Sequence, residues 1–180
     1  MMIPSARRGP AGGHAGFTLF ELLVVVCVVA VMAGMLLNRL QVYEEGAEKV
    51  AMQQTAAAIK SGLLMRVAAY MVGGREGEIE GLRNENPIGW LQENPPNYAG
   101  EFHADAYARV RPGSWYFDLA HHELVYLIKR ADNFKPGPDG RKWVRFRVRI
   151  EYDLVAQQGG SPRRVLAAVN FVPAQAYAWF

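Results

Sequence analysis

The sequence predicts an α+β protein in which a long N-terminal helix, membrane-spanning in its first half, packs on a roughly four-stranded antiparallel sheet. Three observations predict it. An apolar run opens the chain, an apolar stripe at helical spacing follows it, and a strictly alternating segment lies near the C-terminus.

From Phe17 to Leu37 the 21 residues carry one charge, Glu21, and no proline. At about 1.5 Å of rise per residue, such a run spans roughly 30 Å, the thickness of a bilayer's hydrocarbon core. It is too long for the apolar region of a secretory signal, and Leu36-Leu37-Asn38-Arg39-Leu40 offers no small-residue cleavage site. A plain anchor explains the length and leaves Glu21 unexplained, because a charged side chain in a bilayer costs about 2.5–3.5 kcal/mol on insertion scales.

The helix is expected to continue past the span. Residues 42–72 contain no proline, and Met52, Ala56, Ile59, Leu63, Val67 and Tyr70 recur at steps of three and four. Glu45, Glu48, Lys49, Gln53, Lys60 and Arg66 are assigned to the opposite, solvated side. Gly34 and Gly46 are the soft points of this helix, and Gly73-Gly74 is its stop.

Residues 73–113 form a connecting region rich in Gly, Pro, Asn and charge. Within it Asn86 is placed to cap a short helix with Pro87 in the first position. Four strands follow: Ser114–Leu119, Glu123–Arg130, Trp143–Leu154 and about Val165–Val172. Ala120-His121-His122 joins the first two as a hairpin. In the third, Val144, Phe146, Val148, Ile150, Tyr152 and Leu154 alternate with Arg145, Arg147, Arg149, Glu151 and Asp153. That period of two predicts a sheet covered on one side only.

The string Gly16-Phe17-Thr18-Leu19-Phe20-Glu21-Leu22-Leu23-Val24-Val25-Val26 resembles the processing site of type IV prepilins and of the pseudopilins of type II secretion. The resemblance implies residues 1–16 as a leader, cleavage between Gly16 and Phe17 by a prepilin peptidase, and methylation of the Phe17 amine. It implies a transmembrane half at 17–40 and a periplasmic head at 41–180. The head divides into a helix half 41–72, the connecting region 73–113, the sheet 114–172 and a tail 173–180. Glu21 is implied as the assembly residue. Its pairing with the Phe17 amine of a neighbouring subunit would lower the cost of holding either charge in a dry bundle.

The partners so implied are the peptidase, other pilin or pseudopilin subunits, an inner-membrane assembly platform and membrane lipid. The expected function is a structural subunit, a minor pilin or pseudopilin, inserted with its N-terminus in the cytoplasm. The alternative is a membrane-anchored periplasmic binding module or enzyme that uses the helix only as a tether.

Other features favour plain structural roles. Losing residues 1–16 removes Arg7 and Arg8 and leaves 18 Lys+Arg against 17 Asp+Glu, so the basic balance of the chain argues weakly for an acidic partner. Cys27, the only cysteine, is read as a small apolar filler. His103-Ala104-Asp105 and His121-His122-Glu123 are thin sets for metal or acid–base work. Asp139 in Gly137-Pro138-Asp139-Gly140 suits a turn better than a calcium loop. No nucleophile–base pair or phosphate loop stands out, so no catalytic residue, metal or cofactor is expected. Arg145, Arg147 and Arg149 share one strand face and are candidate nucleic-acid contacts, with a solvated face as the favoured reading. Tyr177, Trp179 and Phe180 make an aromatic tail with two roles open, cover of the sheet edge or contact with a neighbouring subunit.

Overall fold

The computed structural model describes residues 17–103, 106–156 and 162–180. The chain divides into two compact units, Met1–Val42 and Tyr43–Phe180. In the first, the described structure is the opening part of one helix, α1 (Leu19–Val72). Residues 1–16, expected to be a leader, lie outside the described residues, and Gly16 is among them.

Among the described residues the second unit holds the remainder of α1, two 3₁₀ turns η1 (Glu76–Arg83) and η2 (Pro87–Trp90), and seven strands. These are β1 (Tyr98–Phe102), β2 (Trp115–Asp118), β3 (Glu123–Leu127), β4 (Phe134–Lys135), β5 (Trp143–Val155), β6 (Arg163–Pro173) and β7 (Ala178–Trp179). Five of them form the main sheet in the order β1-β2-β3-β5-β6, and β4 pairs with β7.

The helix stops where the sequence says it should. Gly74 has φ +66, and the Arg75 N–H reaches back to the Tyr70 carbonyl at 2.9 Å, a left-handed C-terminal cap that favours glycine. Asn86 caps η2 as expected, its side-chain oxygen accepting from the Ile88 N–H at 3.1 Å.

Met52, Ile59, Leu63 and Val67 of α1 are buried in one core with Trp115, Phe117, Leu124, Tyr126, Phe146, Val148 and Ile150 of the sheet. The helical stripe and the period-two strand therefore meet, which is the packing their spacings call for. Phe146 stacks on Phe171 at 5.3 Å between ring centres.

Two expectations about the sheet need correction. It has five strands rather than four, because β1 lies in the connecting region and pairs parallel with β2. A parallel neighbour requires a crossover, and residues 106–110 lie in that crossover. They produce the second correction: Ala106 and Val110 are buried with Tyr116, Val125 and Leu127 on the other face of the sheet. The sheet is thus apolar on both faces at β2 and β3, where every residue is buried, and one-sided only at β5. Leu154, assigned to the inner face, is 72% exposed, because it lies near the end of β5, past Ile150, the last buried residue of the strand.

Candidate functional site

The start of α1 is built by Thr18. Its Oγ1 accepts the Glu21 N–H at 3.2 Å, and its carbonyl accepts the Leu22 N–H at 3.1 Å. A threonine at the cap with glutamate three positions on is a helix-start signature, since it satisfies donors the helix leaves open and sets a carboxylate at the positive end of the dipole. The Thr18-Leu19-Phe20-Glu21 spacing carries that signal in the sequence. Glu21 thus has a local role in starting the helix besides the intersubunit role expected of it.

From this cap the helix is apolar and uncovered. It is the one helix among the described residues long and apolar enough to cross a membrane, and none of its most apolar window is buried. Phe17, Phe20, Leu23, Met32 and Leu36 are each more than half exposed, and Cys27 is exposed among them. Covering a side chain of this size is worth about 1.5–3 kcal/mol. A run of them therefore demands lipid or another apolar surface.

Exposure of apolar groups continues within the second unit. From Val50 to Val72 the helix holds two charges, Lys60 and Arg66, and no acid. Val50, Leu64, Met65, Met71 and Val72 are exposed there. A solvated helix face is normally richer in charge.

The charged turn just before that stretch does not face solvent as expected. Glu45 is buried. Its carboxylate accepts from the Asn133 N–H at 2.9 Å, Asn133 Nδ2 at 2.7 Å and Trp179 Nε1 at 2.8 Å. Burial pushes its pKa up, but these hydrogen bonds outweigh burial and hold it below the ordinary carboxylate value. Glu48 accepts from Tyr126 Oη at 3.0 Å and from the N–H groups of Lys129 and Arg130 at 2.7 and 2.8 Å. Burial, then the Glu48 charge, raises the Tyr126 pKa, so that phenol remains a donor. Lys49 Nζ donates to the Trp179 carbonyl, and Arg130 pairs with Glu44.

These contacts fix the aromatic tail. Trp179 is buried and packs edge-on against Phe134 at 5.7 Å, while β7 pairs with β4. The tail is therefore folded into its own chain through Trp179, leaving Phe180 exposed. Sequence reasoning missed Glu45 and Glu48 because their partners lie 78 to 134 residues away.

The smaller candidates resolve into turns and surface. Asp118 Oδ1 accepts from the Ala120 N–H at 2.9 Å and its Oδ2 meets His121 Nδ1 at 2.8 Å, which builds the β2–β3 hairpin. Asp139 accepts from the Arg141 N–H at 3.2 Å and from Trp143 Nε1 at 2.9 Å. Asp105 lies outside the described residues. Among the described residues no group of three or more His, Cys, Asp or Glu side chains converges. Arg145 lies 3.5 Å from Glu123 and over the Trp143 ring at 5.1 Å, whereas Arg147 and Arg149 are exposed.

Compared with models of known protein families, with curated proteins and with solved structures, the chain matches none of them.

Proposed function

We propose that this chain is a structural subunit, a minor pilin or pseudopilin, of a type IV pilus or type II secretion filament. It is made as a precursor, cleaved between Gly16 and Phe17 by a prepilin peptidase and methylated at Phe17. It is held in a bacterial inner membrane by one helix, with its N-terminus cytoplasmic and a pilin-like head periplasmic, until an assembly platform draws it into a filament. There is no catalytic residue and no cofactor in this reading.

The observation that carries it is the uncovered apolar opening of α1, capped by Thr18, whose one charge from Phe17 to Leu37 is Glu21, close behind the Gly16–Phe17 junction. A tether needs the length and uses the acid only to start the helix, at the cost of a charge beside the apolar run. A subunit that leaves lipid for a protein bundle needs both: apolar surface to pack, and a charge that can pair with the Phe17 amine of the next copy to set register. The acid-free, partly apolar helix surface from Val50 to Val72 supplies further area of the same kind.

The test is Glu21→Ala in cells that assemble the filament. The proposal expects the precursor to be cleaved normally and the subunit to be missing from the sheared filament fraction. Full incorporation of the variant would overturn the assembly role of Glu21, and absence of the unaltered chain from the filament fraction would favour the tethered module or enzyme.

A further inference from the structure

Among the described residues the main sheet has three stretches of strand edge without a neighbouring strand, and the fold blunts two of them. At one end β1 has only five residues, with a register shift between Tyr98 and Glu101 and φ +106 at Gly100. Short, irregular edges pair poorly. Beyond Phe146, β5 has no β3 opposite it, and there Arg83 Nη2 donates to the Ile150 carbonyl at 2.7 Å. At the other end is β6, which among the described residues pairs with β5 alone.

The register says which groups that last edge offers. The Ala174 N–H donates to the Arg145 carbonyl at 2.7 Å, so Arg145 and Ala174 form a hydrogen-bonded antiparallel pair. Alternation along the ladder then turns Val172, Asn170 and Ala168 toward their partners Arg147, Arg149 and Glu151. It leaves the N–H and C=O of Val169 and Phe171, and the C=O of Pro173, pointing away from the sheet. A skipped residue, Ala167, and Pro173 frame this window. No charged side chain interrupts it from Ala168 to Val172.

The side chains around the window set the chemistry of what fits. Val169 and Phe171 are buried on the inner face, so residues of an added strand beside them would extend the apolar core. On the outer face Asn170 and Val172 stand directly beside Arg149 and Arg147. Both arginines are exposed and, among the described residues, without an ion pair. An added strand would lie two strand spacings from β5, about 9.6 Å. A long acidic side chain and an arginine span that distance across small neighbours.

We propose that the β6 edge from Val169 to Pro173 accepts an extended segment of another protein, with apolar residues alternating with acidic ones, as a further strand of the sheet. Main-chain bonds to Val169 and Phe171 supply the pairing, and Arg147 and Arg149 select the acidic outer face. This surface is independent of how the N-terminal helix is processed.

The test uses the full chain in detergent micelles with the capped peptide Thr-Val-Glu-Val-Glu-Val-Thr and a control carrying Lys for Glu. Residue-resolved hydrogen exchange should show the Val169 and Phe171 amides protected roughly tenfold or more by the acidic peptide, with Ala168, Asn170 and Val172 changing little. Arg147→Glu with Arg149→Glu, a double change at exposed positions, should weaken that peptide's binding about tenfold and improve the control's. Failure of the Val169 and Phe171 amides to respond, equal response to both peptides, or protection that rises with protein concentration alone would overturn the proposal. The last outcome would assign the edge to a second copy of this chain.

Discussion

Trp179 Nε1 donates to Glu45 Oε1 at 2.8 Å, across 134 residues of sequence. This contact ties the end of the chain to a buried carboxylate on α1, next to the Glu48 side chain that holds residues 129 and 130. Glu45→Gln replaces one acceptor oxygen with a donor that confronts other donors. The expected loss of stability is about 1–3 kcal/mol, since hydrogen bonds to charged groups lie in that range. Denaturant unfolding of the full chain in detergent, followed by tryptophan fluorescence, measures it. Trp179→Phe removes the donor and shrinks a buried ring system, leaving a cavity as well as an acceptor short of a partner, and should cost about 2–4 kcal/mol.

The same carboxylate gives stability a definite pH dependence. Burial alone would raise the Glu45 pKa, yet the hydrogen bonds from Asn133 and Trp179 set it below the ordinary 4.5 in the folded chain. Between those values the unfolded chain binds the proton and the folded chain does not, so acid favours unfolding. The contribution is complete above pH 4.5 and lost as pH falls through the depressed folded value. Thermal unfolding below that pH should therefore fall more steeply in the wild type than in Glu45→Gln.

Two glycines of α1 predict opposite outcomes from the same substitution. At Gly46 an added Cβ meets nothing within 4 Å, so Gly46→Ala should stabilise by about 1 kcal/mol through helix propensity. At Gly62 the Cβ would lie 2.9 Å from the Trp90 backbone oxygen and 3.1 Å from its Cβ. Backbone does not move aside cheaply, so Gly62→Ala should cost about 1–3 kcal/mol despite the propensity gain. Paired melting curves of the two variants test the close approach of η2 to the helix.

What could be read from the sequence was whatever repeats locally. The spacing of Met52, Ile59, Leu63 and Val67 places them in the core, and the alternation from Val144 to Ile150 places those residues opposite. Glu45 and Glu48 were assigned to solvent because charge on a helix usually faces water, and nothing near them in sequence hints at Trp179 or Tyr126. β1 escaped notice because Gly100 and the nearby prolines mark a loop, and its pairing with β2 depends on a crossover. The second face of the sheet follows from that crossover too, since Ala106 and Val110 become core only when they lie on Tyr116 and Val125. At the helix start the Thr18–Glu21 spacing is itself a local signal, legible because cap and acid lie three residues apart.

The subunit reading stands or falls with maturation at the Gly16–Phe17 junction, which intact-mass and N-terminal peptide mass spectrometry of the membrane-bound protein reads directly. The expected mature chain begins at Phe17 and is heavier by one methyl group. A chain still beginning at Met1 or Met2, in cells that contain an active prepilin peptidase, would contradict it.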